Sequence, residues 1–483
     1  MSVIMFLEER LKPPRNLALL FLLGSLSLAA ADQQSAPPPS PITLEAAVHY
    51  AAVHFPEARA ALAKVVGARA AVGLARTAYL PRTDLLWQTN RATYNNIAGL
   101  LLPQSVIPPL SGPVLTNTSN TTAWGSAGGA LLSWQPFDFG LRSANVNVAR
   151  AAEGGANFQL QLTKLDVAAA AADAFLATVV AQQARRAAEA DVNRRESFGK
   201  VVHVLVGNQL RAGVEASRAD AELAAARTQL LRAQGAEENS RIALAQALGI
   251  AGQSVQVDPG PLAIALPPVP NTTQSREVLT NHPLAELAMS AVDQFRAREH
   301  ALQRSYFPSF YLQSAVAGRG SGVRPDGTIV GGSNGLAPDR ANFAIGLTAS
   351  FPVFDFFSLR SRKQIEEANE QSASAEYDKT IQQLTAQLQR ARTDLTISKQ
   401  IADNTAVELQ SAQMTETQAE ARYRAALDNV VEVAEAQRLL VQAESDDAIA
   451  KVSVWRALLA QAFAEGNLQP FIDAVQSAAG GHQ

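Results

Sequence analysis

The chain has 483 residues, and its 41 basic and 44 acidic side chains nearly cancel. No basic excess is available to bind a phosphate backbone, which argues against nucleic acid as a partner. The absence of cysteine excludes disulfides, thiolate metal sites, cysteine nucleophiles and a lipid-bearing N-terminal cysteine. It also suits an oxidising compartment, where a free thiol is a liability.

Residues 1–31 have the pattern of a secretory signal peptide. Basic residues precede an apolar run from Leu17 to Leu28, and three alanines then offer a cleavage site before Asp32. The run is short for a membrane span, which needs about 20 residues; an uncleaved anchor helix is the alternative interpretation. Residues 32–42 are proline-rich and are predicted to form a flexible N-terminus of the mature chain.

No segment after the signal peptide is expected to form a transmembrane helix. Residues 167–184 come closest, but they are mostly alanine and include Asp173. Only helices and closed barrels can span a bilayer. An exported chain of this kind is therefore periplasmic, secreted, or an outer-membrane β-barrel.

The chain contains one sequence pattern twice. Pro56 and Pro81 lie 25 residues apart, as do Pro283 and Pro308. The residue numbers of the two copies differ by 227 at the prolines, and this offset drifts only to 215 at the end of the repeat. Between these points further matches follow in the same order: Tyr79-Leu80-Pro81 with Tyr306-Phe307-Pro308, Phe137-Asp138-Phe139 with Phe354-Asp355-Phe356, Leu141-Arg142-Ser143 with Leu359-Arg360-Ser361, and Leu244–Leu248 with Leu459–Phe463. Internal repeats determine architecture. We therefore predict a first repeat at 43–250, a linker at 251–271, a second repeat at 272–466 and a C-terminal tail at 467–483.

Each repeat is predicted to contain a helix, two strands and a long helical region, in that order. In the first repeat the opening helix is expected from Thr43, a fair N-cap residue, to about Tyr79, where Pro81 stops it. An alanine- and glutamine-rich helical region then extends to Gly249. The strands of the two repeats are predicted at about 82–96, 122–138, 308–320 and 341–356.

The predicted strands have the alternation expected of a membrane barrel. From Asn342 to Asp355, large apolar residues alternate with small or polar ones, which indicates a strand that faces two different solvents. Two tryptophans of the second strand lie ten residues apart, a strand length of roughly 33 Å that suits the apolar band of a tilted membrane strand. The predicted membrane-interface aromatics are Trp124, Trp134, Phe343 and Phe351.

Four strands are too few to close a membrane barrel. Since strand edges must be paired, several chains are expected to contribute strands to one barrel. A soluble hairpin with one buried face is the alternative interpretation.

The helical regions are long enough to cross a periplasm. Leu384, Leu388, Ala391 and Leu395 are spaced by four, three and four residues, the pattern of a coiled-coil seam. A helix from Leu359 to about Ala425 would be roughly 100 Å long. We predict a helical tube; a soluble coiled-coil rod, such as a periplasmic adaptor without a barrel, is the alternative.

These motifs resemble the TolC family of outer-membrane efflux proteins. The resemblance covers nearly the whole mature chain. It rests on the two repeats and on seven short sequences, the last three of them near predicted helix turns: Tyr79-Leu80-Pro81, Phe137-Asp138-Phe139, their second copies, Arg211-Ala212-Gly213-Val214, Tyr423-Arg424-Ala425-Ala426 and Val431–Gln437.

The resemblance implies a mainly helical fold with membrane strands. Three identical protomers would each give four strands to a shared 12-stranded outer-membrane β-barrel, above a long trimeric α-helical barrel of coiled-coil helices. It implies a location in the outer membrane with a long periplasmic portion, and contact with outer-membrane lipid. It also implies two partners, a periplasmic adaptor (membrane fusion) protein and an inner-membrane pump, and neither catalysis nor a cofactor.

The resemblance also points to functional residues at a periplasmic tip. Glu432 and Glu435 share a helix face and match acidic residues at the narrowest constriction, where three chains would form a ring of six carboxylates; two solvated surface glutamates are the alternative. Tyr423 matches a tyrosine that locks the closed tip in some members, whereas Asp428 lies near the place of a basic locking partner. The predicted hairpin tips include Gly213, Val214, Ala426 and Leu427, with Gly213 and Ala426 at equivalent turns.

The sequence offers no sign of an enzyme. The six histidines are not at metal-ligand spacing, and no Ser/His/Asp arrangement is evident. The predicted function is an outer-membrane exit duct for small toxic compounds, driven by a partner pump; the exit channel of a type I protein secretion system is the alternative.

Residues 95–122 and 320–340, which are long and rich in Gly, Pro and Asn, are predicted to be extracellular loops.

Overall fold

A computed structural model of the protein describes residues 40–93, 120–267, 279–324, 328–351 and 353–480. The chain divides into Met1–Pro37, which lies outside these ranges, and Pro38–Gln483, whose described part is treated below. The predicted signal peptide, most of the proline-rich segment and most of the first predicted loop also lie outside the described residues.

The opening helix of the first repeat is interrupted once. Helices α1 (Leu44–His54) and α2 (Pro56–Thr77) replace the single helix predicted to about Tyr79. The prediction is wrong because Phe55 precedes a proline and is extended, with φ −61° and ψ 136°, the conformation that a following proline ring favours. Thr43 caps α1, and its Oγ1 accepts a hydrogen bond from the amide of Ala46 at 3.4 Å.

The remaining elements occur in the same order in both repeats. The first repeat continues with β1 (Arg82–Thr93), β2 (Thr122–Phe137), α3 (Leu141–Gly207) and α4 (Gly213–Ala247). The second contains α5 (Pro283–Arg304), β3 (Ser309–Ser321), β4 (Arg340–Ser350), α6 (Asp355–Arg424) and α7 (Val430–Ala464), and the C-terminal helix α8 (Gln469–Gly480) follows.

The four strands form one antiparallel sheet in the order β1-β2-β3-β4. The two hairpins have the same register. Arg82 lies opposite Ser133 in the first hairpin; adding the repeat offsets of 227 and 217 gives Ser309 and Ser350, which lie opposite each other in the second. The offsets read from the prolines and the Phe-Asp-Phe triplets therefore relate the two hairpins residue by residue.

Strand β4 is shorter than predicted. It ends at Ser350, and α6 begins at Asp355, so the predicted strand to 356 is wrong. Phe351 therefore lies beyond the strand. The physical reason is the proline that follows Phe351 in the sequence, which has no amide to donate to a strand ladder.

The two faces of the sheet differ in chemistry. Directly opposed residues of antiparallel strands share a face, so the registers assign each side chain to one side. The apolar face carries Leu85, Trp87, Trp124, Trp134, Leu312, Val316, Phe343, Ile345 and Leu347. The polar face carries Asp84, Gln88, Ser133, Tyr311, Gln313, Arg319, Arg340, Asn342 and Thr348. Phe343 is 84% exposed and Leu85 81%, so a single chain leaves the apolar face uncovered.

The long helices pack as two antiparallel hairpins, α3 with α4 and α6 with α7. The 67 residues of α3 and the 70 residues of α6 each extend roughly 100 Å at 1.5 Å per residue. The seam predicted on α6 is confirmed, because its four residues are buried: Leu384, Leu388, Ala391 and Leu395.

The main hydrophobic core surrounds the middle of α3. Phe175 and Leu176 of α3 pack in one cluster with Trp455 of α7 and Phe471 of α8. The indole Nε1 of Trp455 donates to the carbonyl oxygen of Ala265 at 2.9 Å, so the buried ring has its polar atom satisfied. This cluster holds the linker and the C-terminal helix against the long helices.

Among the described residues, one helix, α3, is long and apolar enough to cross a membrane by length and composition. The expectation that no later segment would qualify is therefore wrong. Of its most apolar window, 56% is buried inside the protein, and Ala171 and Ala172 are fully covered. Packing against the neighbouring helices accounts for the apolar character of α3.

Each repeat ends at a glycine with a left-handed backbone. Gly249 has φ 77° and Gly466 has φ 79°, and each follows the last helix of its repeat, as a helix C-terminus favours. These glycines differ by 217 positions. The predicted match of Leu244 with Leu459 is therefore displaced by two residues.

Candidate functional site at the hairpin tips

The two helical hairpins turn through residues 208–212 and 425–429. Gln209 and Ala426 each have a left-handed backbone at φ 59°, so they are the equivalent residues of the two turns. The predicted equivalence of Gly213 with Ala426 is wrong, because Gly213 begins α4 as Val430 begins α7. A residue with a left-handed backbone just after the last helical turn lets the chain reverse direction, and this residue is usually glycine. Here Gln209 and Ala426 have that conformation instead, so the position of a glycine does not identify the turn.

Each hairpin tip exposes an apolar side chain to solvent. Val214, in the first turn of helix α4, is 73% exposed. Leu427, in the turn that connects α6 to α7, is 69% exposed. The backbone closes each turn in the same way, since the amide of Leu210 donates to Leu205 and that of Leu427 donates to Arg422, both at 2.9 Å.

Tyr423 joins the second hairpin to the first. Its side chain is fully buried, and its hydroxyl donates to Oε2 of Glu215 at 2.7 Å. Its ring packs edge-on against Phe198, with ring centroids 5.0 Å apart. Burial and the bond to the Glu215 carboxylate raise the pKa of Tyr423 to about 12, so the phenol keeps its proton and donates at physiological pH.

Arg211 makes a second connection between the hairpins. Its Nη2 donates to the carbonyl oxygens of Tyr423 at 3.0 Å and of Asp428 at 2.9 Å. Its guanidinium lies over the ring of Tyr423, 4.5 Å from the centroid, a cation–π geometry. Arg211 of the first hairpin therefore bonds the backbone on both sides of the second turn, at the end of α6 and just before α7.

Among the described residues, no hydrogen bond or ion pair joins the carboxylate of Asp428 to the first hairpin. Its Oδ2 accepts from Nε of Arg422 at 2.9 Å within the second hairpin, and only its backbone carbonyl reaches Arg211. Two basic groups therefore meet at this place in the tip: Arg422 pairs with the carboxylate from within the second hairpin, and Arg211 reaches the carbonyl from the first.

Glu432 and Glu435 are exposed in the first turns of α7. Asn429 caps this helix, and its Oδ1 accepts from the amide of Val431 at 2.8 Å. Nε of Arg438 donates to Oε2 of Glu435 at 2.9 Å, and this bond lowers the pKa of Glu435. Among the described residues, the carboxylate of Glu432 has no hydrogen-bond or ion-pair partner.

A third connection joins α3 to α7 further from the tip. Arg194 and Glu444 form two parallel hydrogen bonds of 2.9 and 2.8 Å, the geometry that makes arginine–carboxylate pairs strong. Beside it, Arg195 donates to Asp191 and to Glu222, both at 2.9 Å. The two hairpins are thus held together at two levels.

Sequence reasoning named Arg211 only as part of a turn motif, without a role, and missed Glu215 and Arg194. The repeat contains one usable signal, because Arg211 and Glu215 stand 217 positions before Asp428 and Glu432. That signal marks two tips that can be compared, but it does not indicate that they touch. In the described ranges, no group of three or more His, Asp or Glu side chains is placed to hold a metal ion.

Trp124, Trp134 and Phe343 lie on the apolar face of the sheet. The guanidinium of Arg91 lies 5.5 Å from the ring centroid of Trp124. The indole of Trp134 donates to the carbonyl oxygen of Tyr79 at 3.1 Å, which fixes the end of β2 to the end of α2.

An exposed apolar sheet face at the end of two helical hairpins, each roughly 100 Å long, defines the protomer of a tubular membrane channel. The sequence profile of the outer membrane efflux protein family matches residues 48–250 and 275–466. The chain belongs to this family. It is also similar to Protein CyaE of Bordetella pertussis, with 25% identity over 377 residues that cover 74% of this chain and 71% of CyaE.

Solved structures of outer-membrane channels share the fold. The structure of CusC superimposes with a TM-score of 0.72 at 17% identity, over 88% of this chain and 92% of CusC. The MtrE outer-membrane channel of Neisseria gonorrhoeae, solved in its open state, gives a TM-score of 0.70 at 17% identity, over 88% of this chain and 89% of MtrE.

These findings confirm the predicted fold class, function and location. The protein is an outer-membrane efflux channel protein with a long periplasmic helical portion. Its family and the folds it resembles are those of channel proteins rather than enzymes.

Proposed function

We propose that three copies of this chain form an outer-membrane exit duct for small toxic compounds, which an inner-membrane pump supplies through a periplasmic adaptor. Outer membrane efflux proteins in general work as trimers with such partners. The observation that carries the proposal is the sheet, whose edge strand β4 is exposed on both faces in a single chain and whose apolar face carries exposed side chains such as Leu85 and Phe343.

The sheet edges support a barrel shared between copies. In the part of the chain that the structure describes, strands β1 and β4 each have one neighbouring strand, and every backbone polar group must be bonded within a bilayer. Joining β4 of one copy to β1 of the next pairs both edges, and three copies supply 12 strands, a number within the range of membrane barrels. The apolar face then contacts lipid, with Trp124, Trp134 and Phe343 on it, and the polar face lines the lumen.

The hairpin tips are proposed to form the gate at the periplasmic end. The contacts of Tyr423 with Glu215, and of Arg211 with Tyr423 and Asp428, hold the second hairpin against the first. A partner that separates these groups would free the tip of α6 and α7 to move. Val214 and Leu427, exposed at the tips, belong to the surface that such a partner would meet.

Glu432 and Glu435 are proposed to line the periplasmic constriction. Both are exposed beside the tip turn, and three copies would bring six carboxylates together. Because Arg438 compensates Glu435, the charge of the ring depends mainly on Glu432. A ring of unpaired carboxylates favours cations at close quarters.

Planar bilayers test the duct and its constriction together. The purified protein should form channels that prefer cations. Glu432→Gln should reduce the cation-to-anion permeability ratio several-fold, because it removes an uncompensated charge from each subunit. Glu435→Gln should reduce the ratio less, because it also leaves Arg438 without its partner.

The matched control is Glu238→Gln, which removes an exposed carboxylate from α4, away from the tip. It should leave selectivity unchanged. Equal effects of all three substitutions would show that Glu432 and Glu435 are ordinary surface residues, and failure to conduct even when Tyr423→Phe removes the tip contact would overturn the duct itself.

The cargo is tested in cells that lack this protein. Expression of the wild type should restore resistance to small dyes and detergents. Restored export of a secreted protein without any change in resistance would instead assign the type I secretion alternative.

A further inference from the structure

Two arginines lie directly opposite each other at the loop end of the sheet. Arg319, near the end of β3, is the register partner of Arg340, the first residue of β4. Both border the connection between these strands, which is a predicted extracellular loop. Like charges directly opposite each other on neighbouring strands are destabilising, so the pair costs stability unless an anion lies near it.

The pair belongs to the polar face of the sheet. The row of opposed residues that contains it crosses all four strands: Gln88, Ala127, Arg319 and Arg340. The acidic residue of this face in the described strands is Asp84, four residues from Gln88 along β1, a distance of roughly 14 Å. Its Oδ2 already lies 3.0 Å from Nε of Arg82. Among the described residues, no ion pair involves Arg340.

The connection between β3 and β4 approaches the other face of the sheet. Gly318 lies on the apolar face, since it is opposite Gly128, whose other neighbour is Trp87. A Cβ added at Gly318 would lie 2.9 Å from the side chain of Pro338. The segment just before β4 therefore lies against the apolar face, and it leaves Arg340 exposed on the polar one.

The strands and their loops differ in charge from the rest of the chain. Residues 85–137 and 305–354 together contain four arginines and two aspartates and no other charged side chain, a net charge of +2, whereas the whole chain has −3. The membrane end of the protein is thus basic, although the protein as a whole is acidic.

We propose that Arg319 and Arg340 of three copies form an anion-attracting ring at the outer mouth of the duct. The inference rests on the proposed trimeric duct and adds a second charged zone to it. Two arginines from each of three copies would place six guanidinium groups at the lumen, and rings of arginine favour anions as rings of carboxylates favour cations.

The ligand class is multivalent anions. Guanidinium groups on neighbouring strands can donate together to one phosphate or sulfate group, the charge-assisted geometry that arginine favours. The two ends of the duct then have opposite charge preferences, with guanidinium groups at the outer mouth and the carboxylate of Glu432 at the periplasmic constriction.

The potential of the ring is measured at Asn342, the next residue of β4 on the same face, about 7 Å from Arg340. The chain provides a background without cysteine. On intact cells, Asn342→Cys should react several-fold faster with an anionic methanethiosulfonate than with a cationic one of similar size, each rate divided by that of free cysteine. Arg340→Gln should lower this ratio several-fold, and Arg340→Lys, which keeps the charge, should preserve it.

Arg91→Gln is the matched control. Arg91 lies near the same end of the sheet but on the apolar face, opposite Trp124, so its charge does not reach the lumen. The ratio of rates at Asn342→Cys should stay unchanged in this variant. Migration as a trimer in SDS reports that each variant has assembled.

Planar bilayers test the ligand class with tripolyphosphate, in Tyr423→Phe channels that lack the tip contact. Tripolyphosphate should block the current at a lower concentration from one side of the bilayer than from the other. Arg340→Gln should raise the half-blocking concentration on the sensitive side several-fold, and Arg91→Gln should leave it unchanged.

The outcomes separate the ring from the duct. Equal rates of Asn342→Cys with both reagents, or a ratio and a block that Arg340→Gln does not change, overturn the ring and leave the duct standing. An assembled Asn342→Cys trimer that reacts with neither reagent shows that the polar face lines no water-filled lumen, which overturns the proposed duct and the ring with it.

Discussion

Tyr423 is the residue through which most contacts of the tip pass. Its hydroxyl, its ring and its carbonyl each engage a different group of the first hairpin: Glu215, Phe198 and Arg211. A hydrogen bond to a charged group contributes about 1.5–3 kcal/mol. Since every 1.4 kcal/mol changes an equilibrium about tenfold, the hydroxyl alone can change the population of a closed tip by about ten- to a hundredfold.

Tyr423→Phe should therefore shift the tip towards opening. The phenyl ring keeps its packing against Phe198 while Glu215 loses the hydroxyl that donates to it. We expect a higher open probability in planar bilayers, and cells that become sensitive to large antibiotics normally excluded by the outer membrane. Tyr377→Phe, on the same helix but away from the tip, should have neither effect. An unchanged open probability in Tyr423→Phe would remove Tyr423 from the gate.

At the scale of elements, Glu416 lies where three long helices meet. It belongs to α6, with Glu420 and Arg424 on its own helix, Glu444 on α7 and Arg194 on α3. Burial and then repulsion by Glu420 raise the pKa of Glu416 above its ordinary value of 4.5, although the two arginines oppose the shift.

Glu416→Gln should stabilise the helical hairpins near neutral pH. A raised folded-state pKa means that the folded protein binds the proton more tightly than the unfolded chain. The ionised carboxylate therefore opposes folding at neutral pH, and the penalty disappears as pH falls through the raised pKa towards 4.5. We expect a higher thermal midpoint by circular dichroism near neutral pH and little gain below pH ~4.

Glu408→Gln, an exposed substitution on the same helix, is the control for that measurement. It should leave the midpoint unchanged at either pH. If Glu416→Gln still raises the thermal midpoint in acid, the shape of the glutamate side chain rather than its charge lowers stability at this position.

At the scale of the whole molecule, the duct has a defined direction across the outer membrane. The two predicted extracellular loops connect strands within each hairpin of the sheet, at the end opposite to the long helices. Ser111 lies in the first of them, outside the described residues. Ser111→Cys should react with an impermeant thiol label on intact cells, because loops of this kind face the medium.

Leu427→Cys provides the matched control at the other end of the molecule. It lies at the hairpin tip and should react only after the outer membrane is permeabilised. Labelling in the reverse order would invert the topology.

The sequence by itself determined the repeat, the element types and the family. The alternation from Asn342, the seam from Leu384 and the prolines before the strands are local patterns, and each has one structural meaning. Their order in two copies was enough to predict a channel protomer. Local patterns were less reliable at boundaries, where Phe55 interrupts a helix and β4 ends at Ser350, because each residue there is followed by or close to a proline.

Only the tertiary structure decided which side chains meet at the tip. Arg211 and Tyr423 are 212 positions apart in the chain, and no periodicity relates them. Their contact depends on how two hairpins of about 100 Å lie against each other. The same holds for Arg194 with Glu444, whose bidentate bond requires two helices at one distance and one rotation. Spacing along a helix identifies a shared face, but only packing determines what that face touches.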